Sequence, residues 1–337
     1  MTNMILKVLC LSWSTVLSSA FAEPITKDQL LDTSEAGREL LERRAVAAPG
    51  DFVLDTLALL RSDTELSVEG SAQRKLAVRR LFFTTDSGRF EPVSEAHVTA
   101  LLRAVPVDDA PVEFLDQLPR LLAENSPYVS RVELHAAVER ALNSNKVGYV
   151  MAAANIARRV GGMPAAIEPR LRLLLTDPAS LGTDLEAIVS RHDRRVATSP
   201  SVPGKGWNHP REKLRLASAA ALIRLALDSS QPLSWQNLDE AARRALASAM
   251  MLHVNESRSV VPFSETDVSQ ALAALQVSFG VQDGAAWADC GVVSGVRVAA
   301  DQLPHQQSKD AAWKVLVTAR ALNTEPCVQT VTTRPAP

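Results

Sequence analysis

The chain has 337 residues, with 36 basic and 38 acidic side chains and a net charge of −2. That near-balance excludes the basic excess of a general nucleic-acid binder or of a protein that coats anionic membranes. Hydrophobic residues make up 46% but aromatics only 4%, so the chain can fold around Ala, Leu and Val, and Ala and Leu favour helices.

Residues 1–22 form the first element. Lys7 supplies a positive start, Val8 to Leu17 is largely apolar, and Ala20-Phe21-Ala22 places small residues at a cleavage position. This is the layout of a secretory signal peptide cut before Glu23. The apolar stretch falls short of the roughly 20 residues needed to span a bilayer. No transmembrane segment is therefore expected once the signal is removed. The expected destination is the periplasm, with the extracellular space as the alternative.

Beyond Glu23 helix follows helix. Capping-box patterns at Thr26–Gln29, Ser130–Glu133, Thr183–Glu186 and Ser264–Asp267 mark helix starts, because the first side chain can accept a free backbone N–H while the fourth reaches back. Helical periodicity runs over about 26–47, 51–61, 71–84, 94–104, 111–124, 127–143 and 147–160. It resumes over about 164–176, 183–195, 211–228, 234–253, 264–279 and 308–322. Pro or Gly punctuates most of the gaps. Val292 to Val298 is the one short β-like candidate, so the fold class is all-α.

The helices come in pairs. The first members begin near 51, 94, 127 and 164, giving steps of about 43, 33 and 37 residues. Such steps suit stacked helical hairpins that bury one continuous core. The run Leu216 to Leu227 is interrupted only by Ser218 and Arg224, and must be covered on most sides. In 147–160, Val150, Ala153, Ala154 and Ala157 share a face on which a neighbouring helix can approach closely. The alternative architecture is a non-repetitive helical bundle.

The segments Met151 to Val160 and Leu214 to Leu225 resemble the Ala/Leu/Arg inner helices of the HEAT/armadillo-like class of α-solenoids. The resemblance extends over residues 51 to about 280. It implies an irregular stack of hairpins with an extended surface for binding. The expected organisation is a signal peptide (1–22), a helical repeat-like domain (23–282) with an inserted loop (196–210), and a C-terminal cap segment (283–337). In an oxidising compartment the two cysteines beyond the signal, Cys290 and Cys327, are expected to form a disulfide that clips the cap in place.

Chemistry-bearing motifs are sparse. The histidines His97, His135, His192, His209, His253 and His305 are scattered, with no His-Glu-x-x-His or Cys-x-x-Cys spacing, so no metal site and no cofactor are assigned. There is no Gly-x-Ser-x-Gly or Ser-x-x-Lys pattern, and no catalytic residue is assigned. Charge concentrates around the inserted loop, where residues 191–215 carry seven basic side chains against Asp193 and Glu212. The candidate binding residues are Arg191, Arg194, Arg195, Lys205, Trp207, His209, Arg211 and Lys213. Arginine forks suit carboxylate or phosphate, and an exposed Trp can anchor a partner. The sequence thus reads as an exported, non-enzymatic helical scaffold that binds a protein or an acidic envelope component. The alternative is a cell-envelope hydrolase acting on wall glycan or peptide.

Overall fold

A computed structural model describes residues 23–85, 87–107, 110–124, 129–199 and 206–322. Among the described residues there are 15 α-helices and no strand, only an isolated bridge between Thr84 and Phe90. The chain divides into two compact units, the first ending at Ala141 and the second beginning at Leu142. The proposed signal peptide and Cys327 lie outside the described residues. No helix among those described is long and apolar enough to cross a membrane.

The first unit opens with α1 (Lys27–Leu31), α2 (Glu35–Ala47), α3 (Pro49–Ser62) and α4 (Ala72–Phe82). It continues with α5 (Glu95–Arg103), α6 (Val112–Glu124) and α7 (Arg131–Leu142), the last crossing into the second unit. The capping box at Thr26 forms as expected: Thr26 Oγ1 accepts the Gln29 N–H at 3.3 Å, and Gln29 Oε1 accepts the Thr26 N–H at 3.1 Å. Phe52, Phe82, Phe83 and Phe114 are buried. His97 is 1% exposed, and its ring lies 5.5 Å from that of Phe52 and 5.3 Å from that of Phe83. Its Nε2 pairs with the Leu81 carbonyl at 2.9 Å. Burial holds the imidazole pKa down at about 4.

The second unit begins with α8 (Val147–Val160), α9 (Glu168–Thr176), α10 (Thr183–Thr198) and α11 (Pro210–Ser229). Then come α12 (Glu240–Ser257), α13 (Glu265–Gly280), α14 (Cys290–Gln302) and α15 (Gln306–Ala321). Helix α11 packs against α8, α9 and α12, burying Leu214, Ala217, Ala221, Leu222, Ile223 and Leu225. That is the covering its near-continuous apolar run requires. The hairpin α12–α13 stacks on the hairpin α14–α15, with α12 against α14 and α13 against α15. Ser264 caps α13 as expected, its Oγ accepting the Asp267 N–H at 3.1 Å.

Two local expectations need correction. Thr183 is the first residue of α10 and not its cap; that place belongs to Gly182, whose φ of +67° turns the chain without a side-chain cap. The next residue, Asp184, accepts the Val147 N–H at 2.8 Å and so supports the start of α8. The second correction concerns Val292 to Val298, which is helical and lies within α14. Gly295 serves there as a contact surface. A Cβ on Gly295 would sit 1.9 Å from the Met251 carbonyl oxygen of α12, so two backbones meet where no side chain fits. The segment expected as a cap therefore contributes two packed helices to the second unit. Cys290 opens α14, but its expected partner Cys327 lies outside the described residues, and the disulfide stays an expectation.

Candidate binding groove

The basic stretch around the inserted loop divides into residues used internally and residues left facing outward. Arg211 Nη2 contacts both carboxylate oxygens of Glu186, at 2.7 and 2.8 Å. Arg215 donates to the Leu175 carbonyl at 3.2 Å and to Glu212 Oε1 at 2.7 Å. Arg191, Arg194 and Arg195 are exposed along the last turns of α10. Lys205 lies outside the described residues.

Trp207 is half-buried and packs inward. Its indole meets Trp287 edge-to-face at 5.2 Å and donates Nε1–H to the Trp287 carbonyl at 3.2 Å. The Arg244 guanidinium lies 3.7 Å from the centre of the Trp287 ring, completing a cation–aromatic stack. Gly206, at φ +84°, makes this docking possible, since a Cβ there would lie 2.0 Å from the Ala286 carbonyl oxygen. The described part of the loop is thus fastened to residues 284–288. His209 stands at the N-cap of α11, half-buried, with its pKa lowered mainly by burial and then by His192.

The outward-facing lysine, Lys213, points to a larger feature. Helices α8, α11 and α12 enclose a groove of about 560 Å³. Its floor is made of Met151, Leu216, Ala217, Ala220, Ala249 and Leu252. The alanines leave the space that longer side chains would fill. Four cations border it: Arg158, Arg159, Lys213 and Arg224. Arg158 pairs with Glu256, and Arg224 faces Asp228 at 2.9 Å. Arg159 and Lys213 are exposed and have no carboxylate partner among the described residues. His253 also lines the groove, edge-on to Phe263 at 5.6 Å, and burial lowers its pKa.

A hollow between α3 and α5 in the first unit is larger, about 720 Å³. Its arginine, Arg103, is engaged with Glu133, and its rim adds Glu95, so it offers no unpaired positive charge. The α8–α11–α12 groove joins an apolar floor to two cations that have no carboxylate partner among the described residues.

Only Lys213 of the groove belongs to the residues singled out from sequence. Arg158, Arg159 and Arg224 come from helices read as ordinary core elements. The available signal was their place in the two Ala/Leu/Arg segments, 151–160 and 214–225, where arginine interrupts an otherwise apolar run. Comparisons of the chain with protein-family models, with curated proteins and with solved structures found no match.

Proposed function

We propose that this protein is an exported, non-enzymatic helical binding protein whose α8–α11–α12 groove takes an acidic, partly apolar segment of a partner. The observation that carries this reading is the pair of unpaired cations, Arg159 and Lys213, bordering a floor of Ala and Leu. An amphipathic helix with acidic residues flanking its apolar stripe matches both features. The signal-like residues 1–22 support export to the periplasm. The stacking of α12–α13 on α14–α15 supports an irregular solenoid of the HEAT/armadillo-like kind. A hydrolase finds less support in the groove. No Ser or Cys lines it, and its one carboxylate, Glu256, is tied to Arg158.

The test is a fluorescence-anisotropy titration with a labelled Glu/Leu amphipathic peptide and its Lys/Leu counterpart. The acidic peptide is expected to bind and to weaken as salt is added, while the basic one does not bind. Reversing both groove charges, with Arg159→Glu and Lys213→Glu, should weaken the acidic peptide about tenfold or more. Reversing Arg194 and Arg195 on α10 should leave it unchanged. The opposite pattern would move the contact to α10 and refute the groove.

A further inference from the structure

His192 and Asp193, near the end of α10, and His209, which caps α11, converge although the sequence separates them by the inserted loop. One ring nitrogen of each histidine and one carboxylate oxygen of Asp193 all lie within 4.8 Å of one another. We infer that these three side chains form a binding site for a divalent transition-metal ion of the Zn²⁺ class. The fourth position would be left to water or to an exogenous ligand.

The geometry already approaches what such an ion requires. Two donors bound about 2.0–2.1 Å from a tetrahedral Zn²⁺ stand about 3.3–3.4 Å apart. His192 Nδ1 and Asp193 Oδ1 are 3.4 Å apart. Two imidazoles on one such ion have ring centres about 5 Å apart, and the His192 and His209 rings are 5.2 Å apart. Closing the remaining donor distances to a tetrahedral edge requires about 1.5 Å or less for any pair. The donor set, two imidazoles and one carboxylate, belongs to the borderline metals. The His192 side chain is 13% exposed, and Nδ1 is the ring nitrogen that faces Asp193. Three protein donors leave one coordination position open, unlike closed four-ligand structural sites. An ion here would tether the end of α10 to the start of α11.

The experiment titrates Zn²⁺ alone into the untagged protein by calorimetry. Binding is expected at one equivalent, with melting temperature rising as Zn²⁺ is added. Loss of a neighbouring second-sphere group costs about 10–100-fold in affinity, so removing a direct ligand by His192→Ala or His209→Ala should cost at least about 100-fold. Asp193 is 62% exposed as a side chain, so Asp193→Asn keeps the metal-free fold while still weakening Zn²⁺ binding. Co²⁺ substitution should give the strong visible absorption of a tetrahedral site in the native protein and lose it in the histidine variants. Absence of saturable binding at one equivalent, or binding indifferent to all three substitutions, would overturn the site. Peptide binding to the groove does not enter this measurement, so either proposal can fail alone.

Discussion

Replacing Gly295 with valine is expected to lower the stability of the second unit by about 3 kcal/mol or more. A Cβ at this position would lie 1.9 Å from the Met251 carbonyl oxygen and 2.6 Å from its carbon. Those atoms are backbone of α12 and cannot swing aside like a side-chain tip. Helices α12 and α14 would have to separate, exposing Met251, Val292 and Val296, each buried now. The opposing gain, the higher helix propensity of a non-glycine residue, is below about 1 kcal/mol. Gly280→Ala is the control, because a Cβ there meets nothing within 4 Å. Chemical denaturation followed by circular dichroism should show the Gly295 variant unfolding well before both the control and the native protein. Coincident transitions would mean that the close crossing of α12 and α14 is absent.

The second large effect is acid sensitivity centred on His97. The folded pKa is about 4 against an ordinary 6.5. Between those values the unfolded chain binds a proton that the folded chain refuses, so stability rises with pH. The contribution is fully present above about pH 6.5 and is lost as pH falls toward about 4, for a total of about 3 kcal/mol. By pH 5 about 2 kcal/mol of it should be gone. His97→Leu removes the titration but leaves the Leu81 carbonyl without its partner, a cost of about 1 kcal/mol at pH 7. Urea midpoints of the first unit at pH 7 and pH 5 should therefore differ less in the variant than in the native protein. An equal acid shift in both would assign the effect to other groups.

The all-α class was legible because it depends on local signals: cap residues, apolar periodicity, and Pro or Gly at helix boundaries. Thr26 and Ser264 cap helices as their neighbours in sequence suggest. Helix α14 was not legible, since Gly291, Gly295 and a valine-rich run score against a helix unless a second helix requires the close approach. The groove was equally hidden. Arg159 and Lys213 lie on helices brought side by side only by the packing of α8 against α11. Trp207 stands in a loop whose composition suggests exposure, and its docking depends on Trp287 and Arg244 far along the chain. The meeting of His192 with His209 likewise follows from the packing of α10 against α11. No ligand-spacing motif announces it.

The central claim, that the α8–α11–α12 groove is where a partner binds, is tested most directly by site-specific photo-crosslinking. A photoreactive residue placed at Ala220 on the groove floor, and another at Val261, 85% exposed and outside the groove, would be irradiated with the acidic amphipathic peptide. The expected result is crosslinking from position 220 that Arg159→Glu and Lys213→Glu together suppress, with little from position 261. Equal capture at both positions, or capture at 220 indifferent to the charge reversals, would contradict it.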